Sequence, residues 1–381
     1  MTVHTAAVAG LLALWPAAAQ SLIEPSSPEA QKLAIGFDSE WKNAAGRELG
    51  CEMRRFAPAL DYSLRIWTGF NVMVPAEQIV VDGRESRMVE VFRVTPQSPA
   101  GAPVYFFQAL GIPKPPERAN LKKTTLNVAG GLLAGAGKYK VEWMLVHSSG
   151  AKCRKSWAFS VPAKSTALKA GEVAPVETAL WSGVPPGAAR RRVSILIHAS
   201  PVWPRRYVSR LSAWDRQILL STLSALLRQG GFSSASVTIF DLERRRTILR
   251  EEHFEPRSLR RLMRQLSQVD YSTISMETLT QSRSPRPFLE EMLQAELKQP
   301  EAPDAVVFIG SRWRGGPKLD GLSPALKESM PKAWFLAFTT PQTISEPDSL
   351  SSLVKAVRGR VVSIFGPGDL AGALREVSSA P

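Results

Sequence analysis

Histidine and cysteine are scarce in this 381-residue chain, with four copies of the first and two of the second. The histidines, His4, His147, His198 and His253, are scattered, no Cys-x-x-Cys occurs, and no Cys/His spacing matches a zinc site. Long hydrophobic runs are missing too. The one apolar stretch near the N-terminus, Ala6 to Trp15, is too short to cross a bilayer as a stable helix. Ala17-Ala18-Ala19 follows it, the small-residue pattern read by a signal peptidase, so residues 1–20 are expected to be a signal peptide even though no Lys or Arg precedes the run. No cysteine beside the cleavage point offers a lipid attachment site. The expectation is a mature protein without a transmembrane segment, secreted or periplasmic. A phosphate-binding loop is also absent. The Gly-rich stretch Gly130 to Tyr139 carries Leu132 where the first glycine belongs and Tyr139 where a magnesium-binding Ser or Thr belongs, and is expected to be a flexible hairpin connection.

What the chain does contain is enough apolar sequence, 44%, to give two domains a core each. From about Gly36 to Val161, short β-rich runs alternate with Pro/Gly punctuation: Tyr62 to Trp67, Asn71 to Val74, Met88 to Val94, Val104 to Phe107, Thr125 to Val128, Tyr139 to Val146 and Ser156 to Val161. Tyr139, Val141, Trp143 and Leu145 fall on one face of a strand. Residues 35–163 are therefore expected to form an all-β sandwich that resembles immunoglobulin-like domains at the level of fold. In an oxidising compartment Cys51 and Cys153 read as a disulfide closing a long loop; two buried thiols are the alternative. Residues 164–190, rich in Ala, Pro, Gly and Ser, read as a linker.

Beyond the linker, strands alternate with helices. Val193 to Ile197, Ser236 to Leu242, Ala305 to Ile309, Ala333 to Phe338 and Val361 to Phe365 read as strands, with Thr247 to Arg250 as an antiparallel edge. A helix from about Ala213 to Gln229 begins at a Ser212/Asp215 cap and stops at Gly230-Gly231, with Leu211, Trp214, Ile218, Leu219, Leu223, Leu226 and Leu227 on its apolar face. Pro256 opens a second helix, and others lie near Pro287 to Leu297, Leu350 to Val357 and Asp369 to Val377. This grammar predicts an α/β doubly wound, mostly parallel sheet over residues 191–378, with ligands bound beyond the carboxyl ends of its strands.

The strand end VSILIHASPV, the long helix, the SVTIFDLERRRTIL hairpin, the loop from Tyr271 to Ser275 and the VVFIGSR strand together resemble a von Willebrand factor A-type domain. In that family, loops at the sheet edge hold a divalent cation. The resemblance places the Asp-x-Ser-x-Ser positions on His198, Ser200 and Val202, the Thr position on Thr273 and a later Asp position on Ser311. Both acids are missing, and a hard cation needs carboxylate oxygen. A degenerate metal-ion-dependent adhesion site is the result, and no cofactor is expected.

The resulting expectation is a non-catalytic, exported binding or adhesion protein whose partner is a protein or an envelope or extracellular surface. One alternative is a hydrolase using Ser200 with His198, although no Gly-x-Ser-x-Gly elbow is present. Another follows from charge. The formal net charge is +14, and residues 190–264 hold 16 Lys/Arg against 6 Asp/Glu, whereas residues 265–381 hold 12 against 13. Arg205, Arg206, Arg257, Arg261 and Arg264 are candidates for an anion-binding surface, with an acidic polymer as ligand; export disfavours nucleic acid.

Overall fold

The computed structural model describes residues 20–23, 27–43, 47–80, 86–112, 114, 120–163, 168–176, 181–184, 189–202, 211–270, 284–312, 322–341, 343 and 348–379. Almost all of the segment read as a signal peptide lies outside them. The chain is mixed α/β with strands predominating, and it divides into two compact units, residues 1–61 with 65–178 and residues 62–64 with 179–381. Among the described residues no helix is long and apolar enough to cross a membrane.

The first unit contains two antiparallel sheets. Strands β1 (Ser21–Ile23), β4 (Ser86–Ser98), β5 (Val104–Ile112), β7 (Gly137–His147) and β8 (Lys152–Val161) form one, in the order β1-β5-β4-β7-β8. Strands β2 (Glu52–Leu60), β3 (Ile66–Pro75), β6 (Thr125–Ala134) and β9 (Val173–Pro175) form the other, in the order β2-β3-β6-β9. One core draws on both: Phe70, Val72 and Val74 of β3 meet Phe92 and Val94 of β4 and the Tyr139, Val141, Trp143 and Leu145 face of β7. The alternation on β7 thus selects its inner face, because successive strand side chains point to opposite sides. Cys51 and Cys153, 102 residues apart, are joined in a disulfide.

Several features of this unit differ from the sequence reading: strands β1 and β2 fall outside the expected β-rich runs, and the run read from Tyr62 to Trp67 enters a strand only at Ile66. A helix, α1 (Pro28–Lys42), covers the outer face of the five-stranded sheet, where its Leu33 and Phe37 pack on Val89, Val91, Tyr105 and Phe107. Ser27 caps it by accepting from the Ala30 N–H, and Pro28 fits its first position. Val173–Pro175, inside the segment read as linker, pairs with Leu132 to Ala134 as an edge strand. Gly130 and Gly131 are strand residues rather than a flexible connection. A Cβ at either would come within 2.5 Å of Phe70 or Trp67, so glycine lets those rings lie over the backbone. The turn after β6 passes between the two sheets, because β6 pairs with β3 and β7 with β4.

A short helix, α2 (Ala76–Ile79), follows β3. The second unit is built on a six-stranded sheet of β10 (Ala189–His198), β11 (Phe232–Asp241), β12 (Arg246–Glu251), β13 (Ala305–Ser311), β14 (Lys332–Phe338) and β15 (Arg360–Ile364). Their order is β12-β11-β10-β13-β14-β15; all neighbours are parallel except β11 and β12. Helices α3 (Ala213–Gln229), α4 (Ser258–Ser267), α5 (Arg286–Leu297), α6 (Pro324–Ser329), α7 (Ser349–Ala356) and α8 (Pro367–Ser379) accompany it. Leu289 and Leu293 of α5, Leu326 of α6 and Leu350 and Leu353 of α7 pack on Leu196, Phe308 and Phe335 of one sheet face. Helices α3 and α8 lie together against β13, β14 and β15. The Ser212/Asp215 capping box starts α3 as its sequence predicts, but Trp214 is 53% exposed and leaves the apolar stripe to its leucines. Fully buried Glu296 fastens α5 to the sheet: it accepts from the hydroxyls of Ser194 (2.7 Å), Ser236 (3.0 Å) and Thr238 (3.0 Å) and from the Gln299 amide, and it ion-pairs with Arg250 at 3.1 Å.

Candidate functional site

The chain leaves β10 toward β11 on one side and later returns to β13 on the other, so the strand order reverses at the carboxyl end of β10. In open parallel sheets this is where a crevice for ligands forms. His198 and Ser200 come from the end of β10, and Ser311 ends β13 alongside. The parallel register brings them together. Ser200 Oγ lies 3.1 Å from His198 Nδ1 and 2.6 Å from Ser311 Oγ, within hydrogen-bonding distance of both. Gly310 makes the approach possible, since a Cβ there would come within 2.7 Å of the His198 Cβ.

His198 is 2% exposed and its ring stacks on Phe240 at 5.3 Å. Burial holds its pKa below the usual imidazole value, against the opposing pull of the Asp241 and Asp348 carboxylates and a hydrogen bond to the Ser311 backbone. The ring is therefore neutral near pH 7, with one N–H and one acceptor to place among its neighbours.

Carboxylates are present near this edge, in positions the family resemblance does not assign. Asp241 ends β11, Asp348 precedes α7, and both are buried. Their oxygens serve local backbone instead of the crevice. Asp241 accepts from the N–H groups of Glu243 (3.1 Å) and Arg244 (3.2 Å) and pairs with the Arg244 guanidinium at 3.1 Å. Asp348 caps α7, accepting from the N–H groups of Leu350 and Ser351, each at 3.1 Å, and from the Ser351 hydroxyl. The Asp348-Ser349-Leu350-Ser351 sequence carries a legible helix-start signal. Nothing in it announces that the carboxylate will sit close enough to His198 to act on its charge.

Val202, also at the expected metal position, is buried, and its N–H donates to Asp215 Oδ1 at 3.0 Å. Thr273, Arg205 and Arg206 lie outside the described residues. Arg257, Arg261 and Arg264 belong to α4 and its N-cap, and line the exposed side of that helix rather than the strand ends. The described residues do not fit a divalent cation. This edge offers an imidazole and two hydroxyls that bond one another, while the nearby carboxylates are committed to a turn and a helix cap. No group of three or more His, Cys, Asp or Glu is placed to hold a metal among the described residues.

No family model matches this chain, and no curated protein matches it. Among solved structures it is similar over 31% of its length to a Northeast Structural Genomics Consortium target, SoR45, covering 91% of that chain at 12% identity and a TM-score of 0.20. Another is the putative ApaA protein from Bordetella pertussis, with 32% of this chain and 100% of that one covered, 10% identity and a TM-score of 0.19. Likeness of that extent carries no argument about either unit.

Proposed function

We propose that the second unit is a von Willebrand A-like binding domain in which a His198–Ser200–Ser311 hydrogen-bonded cluster stands where relatives hold a cation. On this reading the chain is an exported, non-catalytic adhesion or binding protein that engages a protein or surface partner through the carboxyl edge of the sheet. The observation that carries it is the 2.6 Å contact between Ser200 Oγ and Ser311 Oγ, with His198 Nδ1 behind it. Hydroxyls satisfied by each other and by a neutral imidazole have no anionic oxygen with which to offset the desolvation of a divalent ion. The strand order, with an antiparallel β12 at one edge, supports the family reading, and the Cys51–Cys153 disulfide supports export.

The test is thermal unfolding with magnesium, manganese or EDTA, for which an unchanged Tm is expected. A saturable rise of several degrees with either cation would refute the proposal, because a ligand that binds only the folded state must stabilise it. The Ser200 to His198 contact also admits an esterase reading. An ester-substrate screen of the wild type against Ser200→Ala separates the two, and turnover abolished by that substitution would favour the enzyme.

A further inference from the structure

Helix α4 carries charge of one sign on a face separate from the strand ends. Residues 190–264 hold 16 basic residues, and every one is arginine. Four of these fall on or beside α4: Arg257 at its N-cap, then Arg260, Arg261 and Arg264. The inward stripe is Leu259, Leu262 and Leu266, all buried, so packing asks nothing of the arginines. Arg257 is 82% exposed and Arg261 60%. Glu255 and Glu251 pair with them at 2.5 and 2.7 Å, steadying two guanidinium groups. Arg260 and Arg264 are exposed and have no ion-pair partner among the described residues.

At the N-terminal end this arrangement works against the helix. Arginine at an N-cap supplies no capping acceptor, the first turn holds no acid, and cations there oppose the helix dipole. Spacings of three, four and seven residues also set like charges beside one another. A face that served only solubility would mix signs and use lysine as readily. Arginine alone presents a rigid planar fork that grips carboxylate, sulfate or phosphate with two parallel hydrogen bonds. The row from Arg257 to Arg264 spans about 10 Å along the axis, so a single small anion cannot meet all of it.

We propose that the exposed face of α4 binds a linear anionic polysaccharide. An anionic lipid surface fits less well, since Met263 is the one large apolar side chain exposed on α4 and insertion needs an apolar face. Nucleic acid fits less well on the proposed reading of an exported chain, which the Cys51–Cys153 disulfide supports.

The experiment uses the full chain with heparin and polygalacturonate as probes, and with duplex DNA and phosphatidylglycerol vesicles as competing arms, over a salt series. Binding to at least one polysaccharide is expected, with affinity falling as salt rises. Arg260→Ala/Arg264→Ala is expected to weaken it by about tenfold or more, and Arg260→Lys/Arg264→Lys by less, because charge survives but the fork does not. The alanine variant relieves repulsion and is expected to keep the wild-type Tm, so its lost binding is read on folded protein. Wild-type polysaccharide affinity in the alanine variant, or tighter binding of DNA or vesicles than of both polysaccharides at equal salt, would overturn the proposal.

Discussion

Glu90 sits on the core face of β4 between Met88 and Phe92, with none of its surface exposed. Its Oε1 accepts from Trp143 Nε1 at 2.6 Å, while Oε2 is buried without a partner among the described residues. Directly across on β5 stands Gln108, whose Oε1 also lacks one. The neighbouring titratable group on the same face is His147, opposite Met88 on β7, itself held below its usual pKa by burial. Burial is the main cause that lifts the Glu90 carboxyl from 4.5 to about 7; the Trp143 hydrogen bond opposes it. The group is therefore protonated in the folded chain at pH 5–6 and ionised in the unfolded one. Because the folded pKa is the higher, its stabilising influence is fully present below pH 4.5 and is lost as pH rises toward 7. At about 1.4 kcal/mol per pK unit, the first unit loses about 3 kcal/mol across that window.

Glu90→Gln keeps an acceptor for Trp143 and removes the titration. The assay is urea unfolding of wild type and variant from pH 4 to 8, followed by tryptophan fluorescence, taking the difference between them. His147 and every other group cancel in that difference. The variant is expected to gain on the wild type with rising pH and to level off above pH 7. A difference that stays flat from pH 4 to 8 would refute the reasoning.

Two further substitutions probe the second unit. Glu296→Ala strips the acceptor from Ser194, Ser236, Thr238 and Gln299 and leaves Arg250 without its buried partner, so a loss of about 3–5 kcal/mol is expected in denaturant unfolding. Gly310→Ala drives a methyl group into His198 and is expected to cost about 1–3 kcal/mol, with the His198 ring resonances shifted in NMR spectra. An unchanged Tm in the alanine variant would show that the strands can part there freely.

Local pattern was enough to read much of the architecture. The period-two face of β7 and the capped start of α3 follow from side-chain identity and spacing, which local backbone geometry translates directly into structure. The alternation of strands and helices after residue 190 likewise predicts a mostly parallel sheet, in which β10 pairs with β11 and β13. Helix α1 escaped because its apolar positions, Ala30, Leu33 and Phe37, are sparse and find their partners only on a sheet built later in the chain.

Sequence by itself determined that His198, Ser200 and Ser311 bring no carboxylate to the ends of β10 and β13. Only the tertiary structure decided what those residues do. Ser200 and Ser311 are 111 positions apart, and they touch because β13 returns beside β10. Asp241 acts on His198 from the end of β11 and Asp348 from the N-cap of α7, and their own backbone turns consume their oxygens. Composition records the presence of a carboxylate, but long-range pairing sets its distance from a neighbour and local turns set which way it faces, and electrostatics depends on both.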